Sequence, residues 1–445
     1  MKQIRKGDKV LKKTGSGFRC ASFGVALLGV FALTGCDLSV TNPGPVQDTF
    51  LDDDGAFPAV VNGARRALAM GYTRLALDAA MTAKEGLPGG LFGGSEFDSG
   101  TLTSDNVGNH WTNMHKGRWV AEDGARRLEE NGAGGSEAHS ELLLVAGYAN
   151  RSLGQNMCTA VFDGGTASDF MDYFTRAEAH FNAVITAQGG SSALGQQALA
   201  GRADVKMWQS DWAGAMSDAQ AVSDNSMAFQ IQYYDLDFPD SNEMMFRQAS
   251  LPWREYTVWN TFMEGYYTST GDPRMAWREN PADPITMVNN LEFLVQLKFT
   301  EFTSPHTLAS GWEMLLIEAE GLLATQGAAG VDAAMALINQ VHTRNVSDLD
   351  GQPLTAVTTA EFDADPLTGA WAALKQERRI ELWGEARRFG DLRRWSIQAA
   401  PGAQTFEDVS GRSSCFPVAT TEVDMNENLD ASYKVTAANS TRFPS

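Results

Sequence analysis

Between residues 371 and 395 the chain reads WAALKQERRIELWGEARRFGDLRRW, with Leu374, Leu382, Phe389 and Leu392 recurring at roughly helical intervals and no proline among them. That spacing predicts a helix. Its charges are unusual. Glu377, Glu381 and Glu385 stand four apart and stack on one face as like charges, while Arg378, Arg379, Arg387, Arg388, Arg393 and Arg394 crowd around them. Such a helix is expected to lie between other elements, its guanidinium forks tying carboxylates and backbone carbonyls together. The alternative makes Glu381 and Glu385 an acid/base pair, since glycosidase carboxylates stand ~5–10 Å apart. Flanking arginines would hold both ionised, which argues against a general acid here.

Helical periodicity recurs upstream. Residues 55–84 read as one long helix rich in small side chains (Ala56, Ala59, Gly63, Ala64, Ala67), so close packing is expected. It returns over 109–131 and 136–155, and then in pairs: 137–155 with 167–188, 192–210 with 212–224, and 311–326 with 331–345. The pair spacing is near the ~34 residues of a tetratricopeptide unit. Divergent repeats stacked as a solenoid are expected, with generic antiparallel helices as the alternative. Two stretches break the pattern. Residues 86–108 are glycine-rich and aperiodic, and 228–310 hold aromatic clusters among Asp, Asn, Gly and Pro. Within the latter, 291–302 (LEFLVQLKFTEF) partly alternates and reads as a strand.

The start of the chain has a different character. Seven basic side chains and one acidic one fall in residues 1–19, followed by a 12-residue apolar run over 21–32. That run is too short to span a bilayer and suits a signal peptide. Leu33-Thr34-Gly35-Cys36 then resembles a bacterial lipobox, which implies cleavage after residue 35 and acylation (palmitate included) of Cys36. No second apolar run approaches spanning length. The net charge of −20 becomes −26 once the signal peptide leaves, an acidic surface that disfavours nucleic acid but not neutral sugars or cationic peptides. Cys20 departs with the signal, so Cys158 and Cys415 remain in an oxidising exterior, where a disulfide between them is expected. Two buried free thiols are the alternative.

Catalytic motifs are absent. There is no Gly-x-Ser-x-Gly elbow, phosphate-binding loop or His-Glu-x-x-His, and His110, His115, His139, His180, His306 and His342 are scattered. No cofactor and no metal centre is expected. The acidic loops around Asp235–Glu243 and Asp348–Asp350 offer oxygen ligands for calcium, but lack the EF-hand pattern and read better as solvated loops. The aromatics carry more functional weight, because an apolar sugar face stacks on Trp or Tyr while Asp, Asn and Arg take its hydroxyls. Trp253, Tyr256, Tyr266 and Tyr267 are the candidate platforms, with Trp111 closing the edge. The glycine-rich stretch 86–108 and the aromatic segment 253–267 are expected to meet on one side of the repeats and form the ligand site. The alternative places these rings in the core.

The stretch ERRIELWGEARRFGDLRRW (377–395) resembles the C-terminal signature of the SusD/RagB family, nutrient-binding outer-membrane lipoproteins that pair with TonB-dependent transporters. Glu377, Arg378, Arg379, Glu381, Arg388, Asp391, Arg393 and Trp395 carry that likeness. Asn42-Pro43, Asp272-Pro273-Arg274, the Ala-Glu helix at 315–320 and the tail CFPVATTEVDMNENL (415–429) are similar to further family motifs. The resemblance implies a mostly α, tetratricopeptide-like SusD-like solenoid with an irregular loop-rich lobe carrying a few short strands. It implies a signal peptide over 1–35, a lipidated tether over 36–54, a helical region over 55–227, a ligand lobe over 228–310 and a C-terminal RagB/SusD-like region over 311–445. The implied role is non-enzymatic: a lipid-anchored outer-membrane protein, facing the exterior, that binds a glycan or peptide and hands it to a SusC-like transporter. Asp37 leaves the membrane open, because some bacteria read Asp after the lipidated Cys as inner-membrane retention. A helical-repeat scaffold and a secreted glycoside hydrolase are the competing functions.

Overall fold

Small residues set how the first helices pack. The computed structural model describes residues 48–89, 95–222, 224–235, 240–249, 254–402 and 409–443; the signal peptide, Cys36, Asp37 and the tether up to residue 47 lie outside them. Helices α1 (Phe57–Thr82), α2 (Ser95–Ser99) and α3 (Gly108–Glu130) open the described chain. α1 and α3 meet at glycines: a Cβ on Gly71 would stand 2.8 Å from the Asn113 carbonyl carbon, and one on Gly117 2.9 Å from Leu68 Cα. Only the missing side chains let these backbones approach so closely.

The paired helices follow as α4 (Glu137–Asn156), α5 (Met171–Gln188), α6 (Ala193–Trp208) and α7 (Trp212–Ala221). Ser136, Ser192 and Asp211 cap α4, α6 and α7 by accepting from the amides of His139, Gly195 and Gly214. The irregular stretch contributes two short helices, α8 (Glu243–Ala249) and α9 (Phe262–Thr270). α10 (Gly311–Gln326) and α11 (Val331–His342) form a further pair, and α12 (Pro366–Glu381), α13 (Arg388–Ile397) and α14 (Thr420–Met425) complete the set. The fold is mostly helical, as the SusD-like expectation required. Residues 311–342 are long and apolar enough in composition to cross a membrane, contrary to the expectation that no such run exists. A 3-10 turn at Gly327–Gly330 divides them, and their apolar faces pack with Trp371, Leu374 and Trp395 in a second core cluster.

The strands are short and pair in twos. β1 (Leu87–Pro88), β2 (Thr159–Ala160), β3 (Ser168–Asp169), β4 (Ala228–Ile231), β5 (Tyr256–Thr257), β6 (Trp277–Glu279), β7 (Leu294–Gln296) and β8 (His306–Ser310) form antiparallel ladders β1–β5, β2–β3, β4–β8 and β6–β7. The strand expected over 291–302 is thus confined to β7. Cys158 and Cys415 are joined by a disulfide with their Cα atoms 5.0 Å apart, tying the end of α4 to the C-terminal tail.

The 371–395 helix is two helices. α12 ends at Glu381 and α13 starts at Arg388, with Gly384 at φ 70° and Ala386 at φ 55° in the turn between them. Lys298 donates to the Trp383 carbonyl at 2.7 Å and lies 3.0 Å from Glu385, satisfying carbonyls that the break exposes. The charges are buried and answered one by one. Arg378 forks onto Asp391 at 2.8 and 3.0 Å, and Arg394 onto Glu320 at 2.6 and 3.0 Å. Trp395 Nε1 also donates to Glu320, at 2.7 Å. Arg387 reaches Asp204 at 3.0 Å and Glu313 at 2.5 Å. Arg393 donates to the carbonyls of Gly154 and Met157 at the end of α4, at 3.2 and 2.8 Å. The guanidinium of Arg379 lies 4.0 Å from the centre of the Phe262 ring, and that of Arg388 5.8 Å from the Trp395 ring. A buried charge is tolerated only with such partners.

Candidate ligand cleft

The β6–β7 ribbon separates two environments because its side chains alternate. Arg278 pairs across the ladder with Val295, and Trp277 with Gln296. Trp277 faces α9: its Nε1 donates to the Glu264 carbonyl at 3.2 Å, and its ring meets Tyr267 edge-on at 6.3 Å. Arg278, Asn280, Phe293, Val295 and Leu297, two apart on each strand, line a cleft of about 490 Å³ on the opposite face. That volume lies within the usual range for a small-ligand site.

Its floor is apolar and its rim polar. Phe293 and Val295 are buried in the floor. From α8, Gln248 closes one side, its amide donating to the Gln296 carbonyl at 3.2 Å and accepting from the Gln296 amide at 3.1 Å. It thereby satisfies the free edge of β7 and holds the floor in place. At the rim Arg254 adopts φ 37°, in the left-handed region that side chains rarely enter, and its Nη1 donates to Asp283 at 2.5 Å. Among the described residues Arg278 and Asn280 have no such fixed side-chain partners, apart from an Arg278 donation to the neighbouring Glu279 carbonyl at 3.3 Å. An apolar floor flanked by amide and guanidinium donors can take one face of a sugar ring and several of its hydroxyls.

The irregular stretches do meet, but not as a pair of stacking faces. Leu87 and Pro88 pair with Thr257 and Tyr256. That ladder draws Tyr256 into the core, where it is fully buried beside Gly86 and lies 6.5 Å from the Trp383 ring. Trp111 is also buried, against His115 at 4.5 Å. Neither offers an open ring face, which corrects their expected roles as platform and edge. Tyr266 is half-buried, stacked on Phe262 at 5.0 Å, and forms one wall of a second cleft of about 360 Å³ with Ser269, Thr270, His342, Ser347 and Gln376. There His342 Nδ1 lies 2.8 Å from Glu377. Tyr267 is half-buried and donates to Asp348 at 3.1 Å. Trp253 lies outside the described residues. Arg278, Asn280 and Phe293 escaped the sequence reading; alternation across 277–280 and 293–297 was the available signal.

The signature carboxylates fasten the lobe to the helices. Arg274, in the Asp-Pro-Arg turn after α9, donates to Asp272 at 2.7 Å, Glu377 at 2.6 Å and Glu381 at 2.9 Å. Arg344 Nη2 donates to both carboxylate oxygens of Glu381 at 2.8 Å. Burial pushes the Glu381 carboxyl up, but Arg274 and Arg344 outweigh it and hold it below the usual range. It is therefore an anchor for guanidinium groups and not a proton donor.

Residues 312–444 match the family model of the SusD family. Over these residues the chain is similar to the SusD family. The SusD-like fold extends well beyond it. A SusD superfamily protein from Bacteroides fragilis is similar with a TM-score of 0.64 and 15% identity, over 84% of this chain and 98% of that one. A SusD-like carbohydrate binding protein from Bacteroides vulgatus gives 0.62 and 11%, over 86% and 98%. A laminarin binding SusD-like protein gives 0.57 and 16%, over 85% and 98%. No curated protein matches the chain. Both clefts draw on residues of the irregular 228–310 stretch, and the second also on residues 342–376.

Proposed function

We propose that this chain is a surface lipoprotein that binds a nutrient oligosaccharide and delivers it to a SusC-like TonB-dependent transporter of the outer membrane. The observation that carries the reading is the cleft on the β6–β7 ribbon, an apolar floor with a polar rim, on a SusD-like fold. Two structures of similar fold are of a SusD-like carbohydrate binding protein and a laminarin binding SusD-like protein, which supports a glycan over a peptide. The lipobox at Cys36 supports anchoring, and the lack of catalytic motifs supports binding without turnover. The chain then comprises a signal peptide over 1–35, a tether over 36–54, and a solenoid carrying the lobe.

Calorimetry of the soluble chain from residue 37 against a panel of oligosaccharides is expected to show binding with no released sugar. Silence across the panel would overturn the nutrient reading, and product formation would restore the hydrolase. With Cys36→Ser, the full precursor should lose membrane partitioning; retention equal to wild type would refute the anchor.

A further inference from the structure

We propose that the ligand of the β6–β7 cleft is an acidic saccharide whose carboxylate is received by Arg278; this rests on the glycan reading above. Charge makes the cleft an exception to the chain around it. The protein has 55 acidic against 35 basic side chains, yet among the described residues the charged groups lining the cleft are Arg254, Arg278 and Asp283. Asp283 is already bound by Arg254 at 2.5 Å, so the second guanidinium is in excess.

The ribbon gives Arg278 no local reason to be there. Its cross-strand partner is Val295, so it gains none of the stabilisation that an opposite charge across the ladder would give. Alternation sends the neighbouring Glu279 to the other face of the strand. Among the described residues Arg278 has no acidic partner, and its guanidinium donates only weakly, at 3.3 Å, to a backbone carbonyl. The remaining donors of a planar fork are left for an oxyanion at the rim of an apolar floor. A guanidinium binds a carboxylate through two parallel hydrogen bonds, and such charge-assisted bonds are roughly twice as strong as neutral ones. Asn280, two residues along on the same face and also lining the cleft, can serve an adjacent hydroxyl. A neutral sugar would leave the excess charge unanswered in an already acidic protein.

The test is calorimetry of the wild-type chain against oligouronides (galacturonate, mannuronate, guluronate and glucuronate series) and neutral oligosaccharides of matched length. The tightest ligand should be an oligouronide whose affinity falls as salt rises from 0.05 to 0.5 M. Arg278→Gln should weaken it by about 10- to 100-fold and remove most of that salt dependence, with an unchanged melting temperature because the residue is exposed. A neutral oligosaccharide as the tightest ligand, or an Arg278→Gln affinity equal to wild type, would overturn this inference and leave the glycan reading standing. Silence with both series would overturn the two together.

Discussion

Removing Arg378 tests whether the signature arginines hold the fold or merely decorate it. Arg378 is fully buried, and its Nε and Nη2 donate to the two oxygens of Asp391 at 2.8 and 3.0 Å, with Glu320 at 3.9 Å. Arg378→Ala leaves Asp391 with Arg394 at 3.2 Å as its remaining guanidinium, so a buried carboxylate loses its main partner. Breaking such a pair costs about 3–5 kcal/mol. Unfolding the unit of residues 48–445 releases entropy of about 2.1 cal/mol/K per residue, or about 0.8 kcal/mol/K in total, so Tm should drop by about 4–6 °C. The acid limb adds a second readout. Burial pushes the Asp391 carboxyl up, but Arg378 and Arg394 outweigh it and bring it down to about 2. A depressed carboxyl contributes stability above its unfolded pKa of about 3.9, and that contribution vanishes as pH falls toward 2. The gap between variant and wild type should therefore narrow below about pH 4. Differential scanning calorimetry at pH 7 and pH 3.5 measures both, with Arg126→Ala as control. Arg126 is a surface residue of α3 paired with Asp123 and Glu130, and its loss should leave Tm unchanged. A drop for Arg378→Ala no larger than the control's would refute the buried-network account.

Two further outcomes follow from the structure. His306 is buried with Nδ1 2.8 Å from the Tyr233 hydroxyl, and burial, aided by Lys298, holds its imidazole down to about 3. The unfolded chain binds its proton near pH 6.5, so this residue's share of stability is lost by about 1.4 kcal/mol per pH unit as pH falls through that window. His306→Gln should flatten the acid slope of denaturant-derived stability by that amount; parallel slopes would show that His306 is charged in the fold. For the disulfide, peptide mapping without reductant should recover Cys158 linked to Cys415. Cys158→Ser with Cys415→Ser should cost about 5 kcal/mol in the chain-entropy account of so long a loop. Two alkylatable thiols in the native protein would refute the link.

Local chemistry in the sequence determined most of the helical frame. The small-residue helix expected over 55–84 is Phe57–Thr82, and the paired helices begin beside Ser192 and Asp211, residues whose side chains can cap a helix without help from afar. The SusD signature was legible for the same reason: its carboxylates and arginines lie within one short stretch. The break inside that stretch was not legible. A run of helix-forming residues predicts continuity, while Lys298 and Thr307, far along the chain, bind Glu385 and favour the turn. The ligand face depended still more on tertiary structure. Tyr256 and Tyr266 are ten residues apart and alike in composition, yet one is sealed by Gly86 and Trp383 and the other forms the wall of a cleft. Arg278 became a candidate only when Phe293 and Val295 were seen beside it. Periodicity records which side of an element a residue occupies, and a three-residue strand is too short to state even that. What covers each side is decided by partners a hundred residues away, so the exposure of one ring or one guanidinium belongs to the folded chain alone.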